Sequence, residues 1–359
     1  MNPPPSSTAI GEKLAQDASW HLYQLDAAQQ ASAWLRLSEQ QFRDASFLDQ
    51  RLLQAQAGQA SLASPEIVAL DGLEESHSAL STRQAHFIFH IGHCGSTLLS
   101  RALAATPRIL PIREPLTLRQ LAADFPEAEN PMWSSKLQYA LAAHSRTFHS
   151  EQLAMIKATS TCNALVLPIL ERVPDARALL MYVPLESFLA GMLGKQSTPL
   201  DLRGHLNTRL HEWRRLAGSP FEQLSTDEMN DAELAVLSWL TSMARLLHAQ
   251  ATYPDRCKLL DFDQFLGAPE AGLEELIDFF SLAGSQAEIL QAWPEISTGY
   301  SKKPDEPYSA FNRNRTLSRG RMMHDTDISS ALQWAEQLAH QHPVFSSCTE
   351  HFGQPASQI

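Results

Sequence analysis

The sequence is poor in several things that would narrow its function. Four cysteines occur in 359 residues (Cys94, Cys162, Cys257 and Cys348), and no two are close in the chain. That spacing offers neither a CxxC redox pair nor a zinc ligand set, and it suits a reducing cytoplasm. Long apolar runs are missing: the longest reach about 6–7 residues, against the roughly 20 a spanning helix needs, so no membrane partner is expected. The opening Met-Asn-Pro-Pro-Pro-Ser-Ser has no basic stretch or apolar core and does not read as a signal peptide. No internal repeat is visible. Positive charge is scarce, with 28 Lys and Arg against 40 Asp and Glu and a formal charge of −12. A general nucleic-acid binder is excluded, because phosphate backbones demand clustered cations. A local basic pocket for one small anion is not.

What is present is a globular mixture, 44% hydrophobic and 19% charged, which rules out a wholly disordered chain. The length suits two domains, or one large α/β domain with additions. Residues 1–16 read as loose, 19–70 as an N-terminal subdomain carrying Trp20, Leu22, Trp34 and Phe47, and 71–83 as a polar connection. Short apolar runs then alternate with helical patterns. Strands are predicted at 86–91, 109–112, 153–157, 178–183 and 257–262. Helices are predicted at 98–105, 132–149, 164–173, 185–196, 231–251 and 270–281. Alternation of this kind signals a parallel sheet covered by helices on both faces. Residues 285–359 read as helices joined by a long loop at 298–326. The expected division is 1–83, 84–283 and 284–359.

The segment Phe87-Ile-Phe-His-Ile-Gly-His-Cys-Gly-Ser-Thr-Leu-Leu-Ser-Arg reads as strand, tight loop, helix. Backbone N–H groups of Gly95, Ser96 and Thr97 would open the helix, where orphan donors and the helix dipole favour an anion. A nucleotide-kinase loop, GxxxxGK[ST], is absent, because Ser96 stands where that motif has Lys. Glycine serving a plain strand–helix turn is the competing reading.

These residues resemble the modified P-loop, [KR]-x-G-[ST]-[ST], of the sulfotransferase superfamily, on which His93-Cys94-Gly95-Ser96-Thr97 lies. Three further segments match in order. Ile112-Arg113-Glu114-Pro115-Leu116 is similar to the xEP turn after the second strand. Ile156-Lys157-Ala158-Thr159 through Asn163 and on to Ala178 resembles the K-x-[ST]…N…L…P-D-A-R stretch. Residues 257–282 resemble the RYEDL…P…L…FLGL stretch, with Phe262-Asp263-Gln264-Phe265 for Tyr-Glu-Asp-Leu. The resemblance spans roughly 86–283. It implies a three-layer P-loop-type α/β fold with a five-stranded parallel sheet flanked by helices. It also implies sulfuryl transfer from 3′-phosphoadenosine 5′-phosphosulfate (PAPS) to a hydroxyl or amine of a small-molecule acceptor. No metal is expected.

The resemblance assigns Gly92, Cys94, Gly95, Ser96 and Thr97 to the 5′-phosphosulfate end. It makes His93 a stand-in for the usual Lys or Arg at the leaving oxygen. Glu114 takes the acceptor's proton, with an ion pair to Arg113 or Arg119 as the structural alternative. Lys157, at a strand end, contacts sulfate or acceptor, or is a structural cation. The family's 3′-phosphate Arg and Ser are missing: Tyr182-Val183-Pro184 replaces Arg-Asp-Pro, and Ala190 stands at the serine position. Ser187 is one turn earlier. The lost cation is expected from residues 301–321, where Lys302, Lys303, Arg313, Arg315, Arg319 and Arg321 outnumber Asp305 and Glu306. Ser318-Arg319-Gly320 resembles part of the closing Arg-Lys-Gly of cytosolic members. A solvated basic loop is the alternative.

His86 and His90 share a strand face, but at about 3.3 Å per residue they stand about 13 Å apart, too far to share an ion. Cys94 reads as a small neutral loop residue rather than a thiol nucleophile. Trp239, Met243 and Leu247 have helical spacing and read as core. Two other functions stay open: a transferase using a different phosphate-containing donor, and a non-catalytic metabolite- or partner-binding relative. Oligomeric state, a homodimer included, is open too.

Overall fold

The computed structural model describes residues 14, 17–26, 30–44, 65–69, 83–194, 202–204, 206–217, 229–300, 303–307 and 310–353. Five strands form the central sheet: β4 (Ala85–His90), β5 (Ile109–Arg113), β6 (Leu153–Lys157), β7 (Ala178–Tyr182) and β8 (Cys257–Asp261), in the order β5-β6-β4-β7-β8. β6 runs parallel to both β4 and β5, and β7 runs parallel to β8. All six residues of β4 are buried, as a strand covered on both faces requires. Pro111, which has no N–H to give to a ladder, sits on β5 at the sheet edge. Contacts divide the chain into two units, cut within β4: residues 1–88 with 100–177, and 89–99 with 178–359.

The first unit opens with an antiparallel sheet of β1 (Trp20–Asp26), β2 (Ala31–Arg36) and β3 (Glu66–Ala69), in that order. A short helix, α1 (Glu39–Asp44), follows β2. The buried Arg146 guanidinium donates to the carbonyls of Leu14, Asp17, Trp20 and Ala143 and lies 5.2 Å over the Trp34 ring. The unit also holds β5, β6, α3 (Leu116–Ala123), α4 (Pro131–His144) and α5 (Val166–Arg172). Asn130 caps α4 through Trp133 N, with Pro131 at the first helical position.

The second unit holds the loop after β4, the first half of α2 (whose span is Ser96–Leu103), β7 and β8. Around them lie α6 (Leu185–Leu193), α7 (Leu206–Ala217), α8 (Asp231–Thr252), α9 (Phe262–Gly267), α10 (Pro269–Phe279) and α11 (Gln286–Ile296). An antiparallel pair, β9 (Gly299–Tyr300) and β10 (Lys303–Pro307), precedes α12 (Ala310–Met323), α13 (Asp325–Gln341) and a final 3₁₀ segment, Pro343–His351. A capping box of Asn230 and Glu233 starts α8. Among the described residues no helix is long and apolar enough to cross a membrane.

Several boundaries differ from the sequence expectation. The long loop at 298–326 is instead a short strand pair and a helix. Between Pro307 and Pro343 there is no proline, so the chain can run on as helix from Ala310; Arg313, Arg315, Arg319 and Arg321 ride on α12, and Lys303 lies on β10. Helix 132–149 stops at His144. Residues 164–173 begin in a 3₁₀ turn, Ser160–Leu165, before α5. Phe262 belongs to α9 rather than to β8, because Asp261 caps the helix there. Lys302, Phe47, residues 1–13 and 15–16 of the loose opening and 71–82 of the polar connection lie outside the described residues.

Candidate functional site

Three constellations gather at strand ends. The first is the loop after β4. Gly92 (φ 91°), His93 (φ 52°) and Gly95 (φ 73°) all have left-handed backbones. From His93 to Ser96 the hand alternates, left at His93 and Gly95 and not at Cys94 and Ser96, which is the backbone pattern of a concave anion nest, and α2 begins there with Ser96 and Thr97. His90 Nδ1 accepts from Gly92 N at 2.9 Å, and the buried Cys94 thiol donates to Met181 O at 3.5 Å. His90 is thus tied to the loop's backbone, while His86 Nδ1 accepts from Arg177 N. Cys94 holds the loop to β7.

A side chain at Gly95 would force the Phe262 ring aside. A Cβ there would stand 2.1 Å from the Phe262 ring, and its φ is one that L side chains rarely adopt. Phe262 lies at the start of α9, stacked on Phe265 at 5.9 Å, and Phe265 meets Trp293 edge-on at 5.6 Å. Asp261 accepts from Asp263 N and Gln264 N at 2.8 and 3.3 Å. Burial raises its carboxyl above the ordinary carboxylate value, against the pull of those two donors.

The second constellation joins two residues that the sequence placed separately. Lys157 Nζ donates to Glu114 Oε1 at 2.5 Å, and Glu114 N donates to Lys157 O at 2.6 Å. The lysine side chain is 1% exposed and the glutamate 18%. Glu114 has φ 54°, a strained value for a side-chain-bearing residue and one that recurs at functional sites. Arg113 is buried and donates to Ser100 Oγ at 3.2 Å and to Arg43 O. Burial and the nearby Arg101 pull the Arg113 guanidinium down to about 10.

The third constellation lies on α12. Arg313 donates through Nε and Nη2 to Asp263 Oδ1 at 3.0 and 2.7 Å, and its guanidinium lies 5.4 Å over the Phe262 ring. Arg321 pairs with Glu186 at 2.7 Å and reaches Ser187 Oγ at 3.5 Å. Gly320 packs against α6, where a Cβ would meet Ala190 O at 2.2 Å. Arg315 and Arg319 are exposed on the opposite side of the helix. Beside α6, Tyr182 Oη bonds His351 Nδ1 at 3.0 Å, and Glu186 N donates to Phe352 O at 3.1 Å. Burial and Asp261 push the Tyr182 hydroxyl up to about 12.

The fold therefore brings Glu114 to Lys157, and Ser187 to Arg321. It sets Arg313 behind Gly95, and it leaves Arg315 and Arg319 facing outward. Sequence reasoning missed Phe262, Asp263 and Glu186 as site residues. Only a bulky aromatic and two acids just past strand ends hinted at them.

No protein-family model matches the chain, and no curated protein matches it. Solved structures do. Sulfotransferase STF1 from Mycobacterium tuberculosis is 16% identical, aligned over 88% of this chain and 96% of its own, with a TM-score of 0.41. Sulfotransferase STF9 from Mycobacterium avium is 12% identical over 69% and 79%, TM-score 0.38. The sulfotransferase domain of the Synechococcus PCC 7002 olefin synthase is 14% identical over 72% and 95%, TM-score 0.36. Each of these three neighbours is a sulfotransferase.

Proposed function

We propose that the protein moves a sulfuryl group from PAPS to a hydroxyl or amine of a small-molecule acceptor. The observation that carries this reading is the nest after β4, with three left-handed residues opening a helix and a ring packed where Gly95 lacks a side chain. Gly92, Cys94, Gly95, Ser96 and Thr97 hold the 5′-phosphosulfate end through backbone N–H groups and the two hydroxyls. His93 donates toward the bridging oxygen as negative charge develops there. Glu114 takes the proton of the attacking acceptor, and Lys157 fixes its carboxylate in place.

The 3′-phosphate end cannot use the position of the family's serine. Ala190 stands there, and its carbonyl is closed off by Gly320. Arg321 of α12 with Ser187 of α6 is a cation–hydroxyl pair and takes that role, with Arg313, Arg315, Arg319 and Gly320 lying on α12. Isothermal titration with 3′-phosphoadenosine 5′-phosphate tests the reading; heat of binding is expected, and none at millimolar ligand would refute it.

One observation favours a second reading, a donor with no 3′-phosphate. Arg321 already carries Glu186 at 2.7 Å, so its charge is matched without any ligand. In that case adenosine 5′-phosphate would bind as tightly as its 3′-phosphorylated form.

A further inference from the structure

Arg313 does not face outward like Arg315 and Arg319. Its side chain is 13% exposed, and two of its guanidinium nitrogens converge on one oxygen of Asp263. The planar group lies over Phe262, within the range at which a cation is drawn to an aromatic face. The Phe262 ring is in turn the surface on which Gly95 rests, with no room for even a methyl group between them. Asp263 sits one residue after Phe262 on the same helix, whose start is fixed by the Asp261 cap. A continuous series of contacts thus runs from α12, through guanidinium and ring, to the back of the anion nest.

From this geometry we infer that Arg313 is a positioning residue. It locks the Phe262 ring against Gly95 and so sets the curvature of the loop from outside the binding surface. Its charge is committed to Asp263 and to the ring rather than to a bound phosphate. The inference rests on the reading of the loop as the anion site. A lysine could keep the charge but not the flat, forked group that spans carboxylate and ring together.

Amide hydrogen exchange on the ligand-free protein provides the test, with Arg313→Gln, Asp263→Asn and the milder Arg313→Lys. Exchange at Gly92 and Leu99, whose amides bond His90 Nδ1 and Gly95 O, should quicken about tenfold in the first two variants and less in the third, while β5 and β6 amides keep their protection. The inference is overturned if α12 amides open and the loop amides do not change. It is equally overturned if protection falls evenly across β5 and β6, since that is general destabilisation. Should Arg313→Gln fail to fold, Arg313→Lys answers the same question alone. Titration with 3′-phosphoadenosine 5′-phosphate then separates the two readings. If the unmodified protein does not bind it, the donor assignment fails while the exchange data still decide the role of Arg313.

Discussion

Glu114 and Glu186 each stand just past a strand of the central sheet, and each takes a cation. Glu114 meets a lysine that is almost wholly buried, and backbone and side chain both grip the same partner residue. Glu186 meets Arg321, whose side chain is 39% exposed, across two helices. A buried ammonium cannot lose its counter-charge without a large penalty, whereas a half-exposed arginine can turn to water or to another anion. The first pair is therefore a fixed part of the fold that chemistry can lean on. The second is exchangeable, which is what a ligand-binding cation needs.

The sharpest way to break this comparison is at Glu114. Glu114→Ala takes the carboxylate away from the buried Lys157 ammonium and should cost about 3–5 kcal/mol, read as a lower urea midpoint. Glu114→Gln keeps a hydrogen bond and should fold, yet lose about 10²–10⁴-fold in turnover if the carboxylate is the base. Turnover near that of the unmodified protein would remove Glu114 from the chemistry. Next comes Gly95→Ala. Pushing the Phe262 ring aside should cost about 1–3 kcal/mol and weaken 3′-phosphoadenosine 5′-phosphate binding in titration.

Acid should destabilise the first unit. In the first, His144 bonds Thr117 at 2.7 Å, and its ring lies 5.1 Å from that of His21. Burial, then the nearby Arg146, pulls His144 down from 6.5 to about 3, and burial also holds His21 well below its usual value. A histidine held neutral in the fold but free to protonate when unfolded adds stability that is full above pH 6.5. That stability falls as pH drops from 6.5 toward 3, by about 1.4 kcal/mol per unit for one site. Urea midpoints at pH 7, 5.5 and 4.5 should decline, and His144→Gln should flatten the decline. Equal slopes for the two proteins would acquit this histidine.

The smallest effects belong to the exchangeable pair. Glu186→Gln and Arg321→Gln should each shift stability by less than about 1 kcal/mol. In ligand titration they should move in opposite directions, Glu186→Gln tightening 3′-phosphoadenosine 5′-phosphate and Arg321→Gln loosening it. Parallel losses would mean that Glu186 supports the site rather than competing for its arginine.

The alternation of apolar runs and amphipathic spans was enough to expose the central sheet, because strand and helix periods are local. β6 falls on the predicted 153–157 without adjustment, and β7 and β8 lose only their last residue. The loop was equally legible, since glycine, small residues and a following helix lie side by side in the chain. What could not be read was pairing at a distance. Glu114 and Lys157 are 43 residues apart, and Arg313 and Asp263 are 50 apart. No local pattern links them. The helix α12 was missed for a different reason: its mean composition is polar and basic, so it has no apolar stripe wide enough to set a period. Only Leu317 and Gly320 of its later turns are buried.

Gly320 lies one residue before Arg321 and seven after Arg313, and it seats α12 directly on the Ala190 carbonyl. At about 1.5 Å per residue the two inward arginines are some 12 Å apart along the helix axis. A helix pressed backbone to backbone has no slack to slide. Inserting one residue between the arginines would lift Arg321 by about 1.5 Å and swing it about 100° around the axis. The spacing on α12 is thus a gauge of length, calibrated by a side chain that is not there.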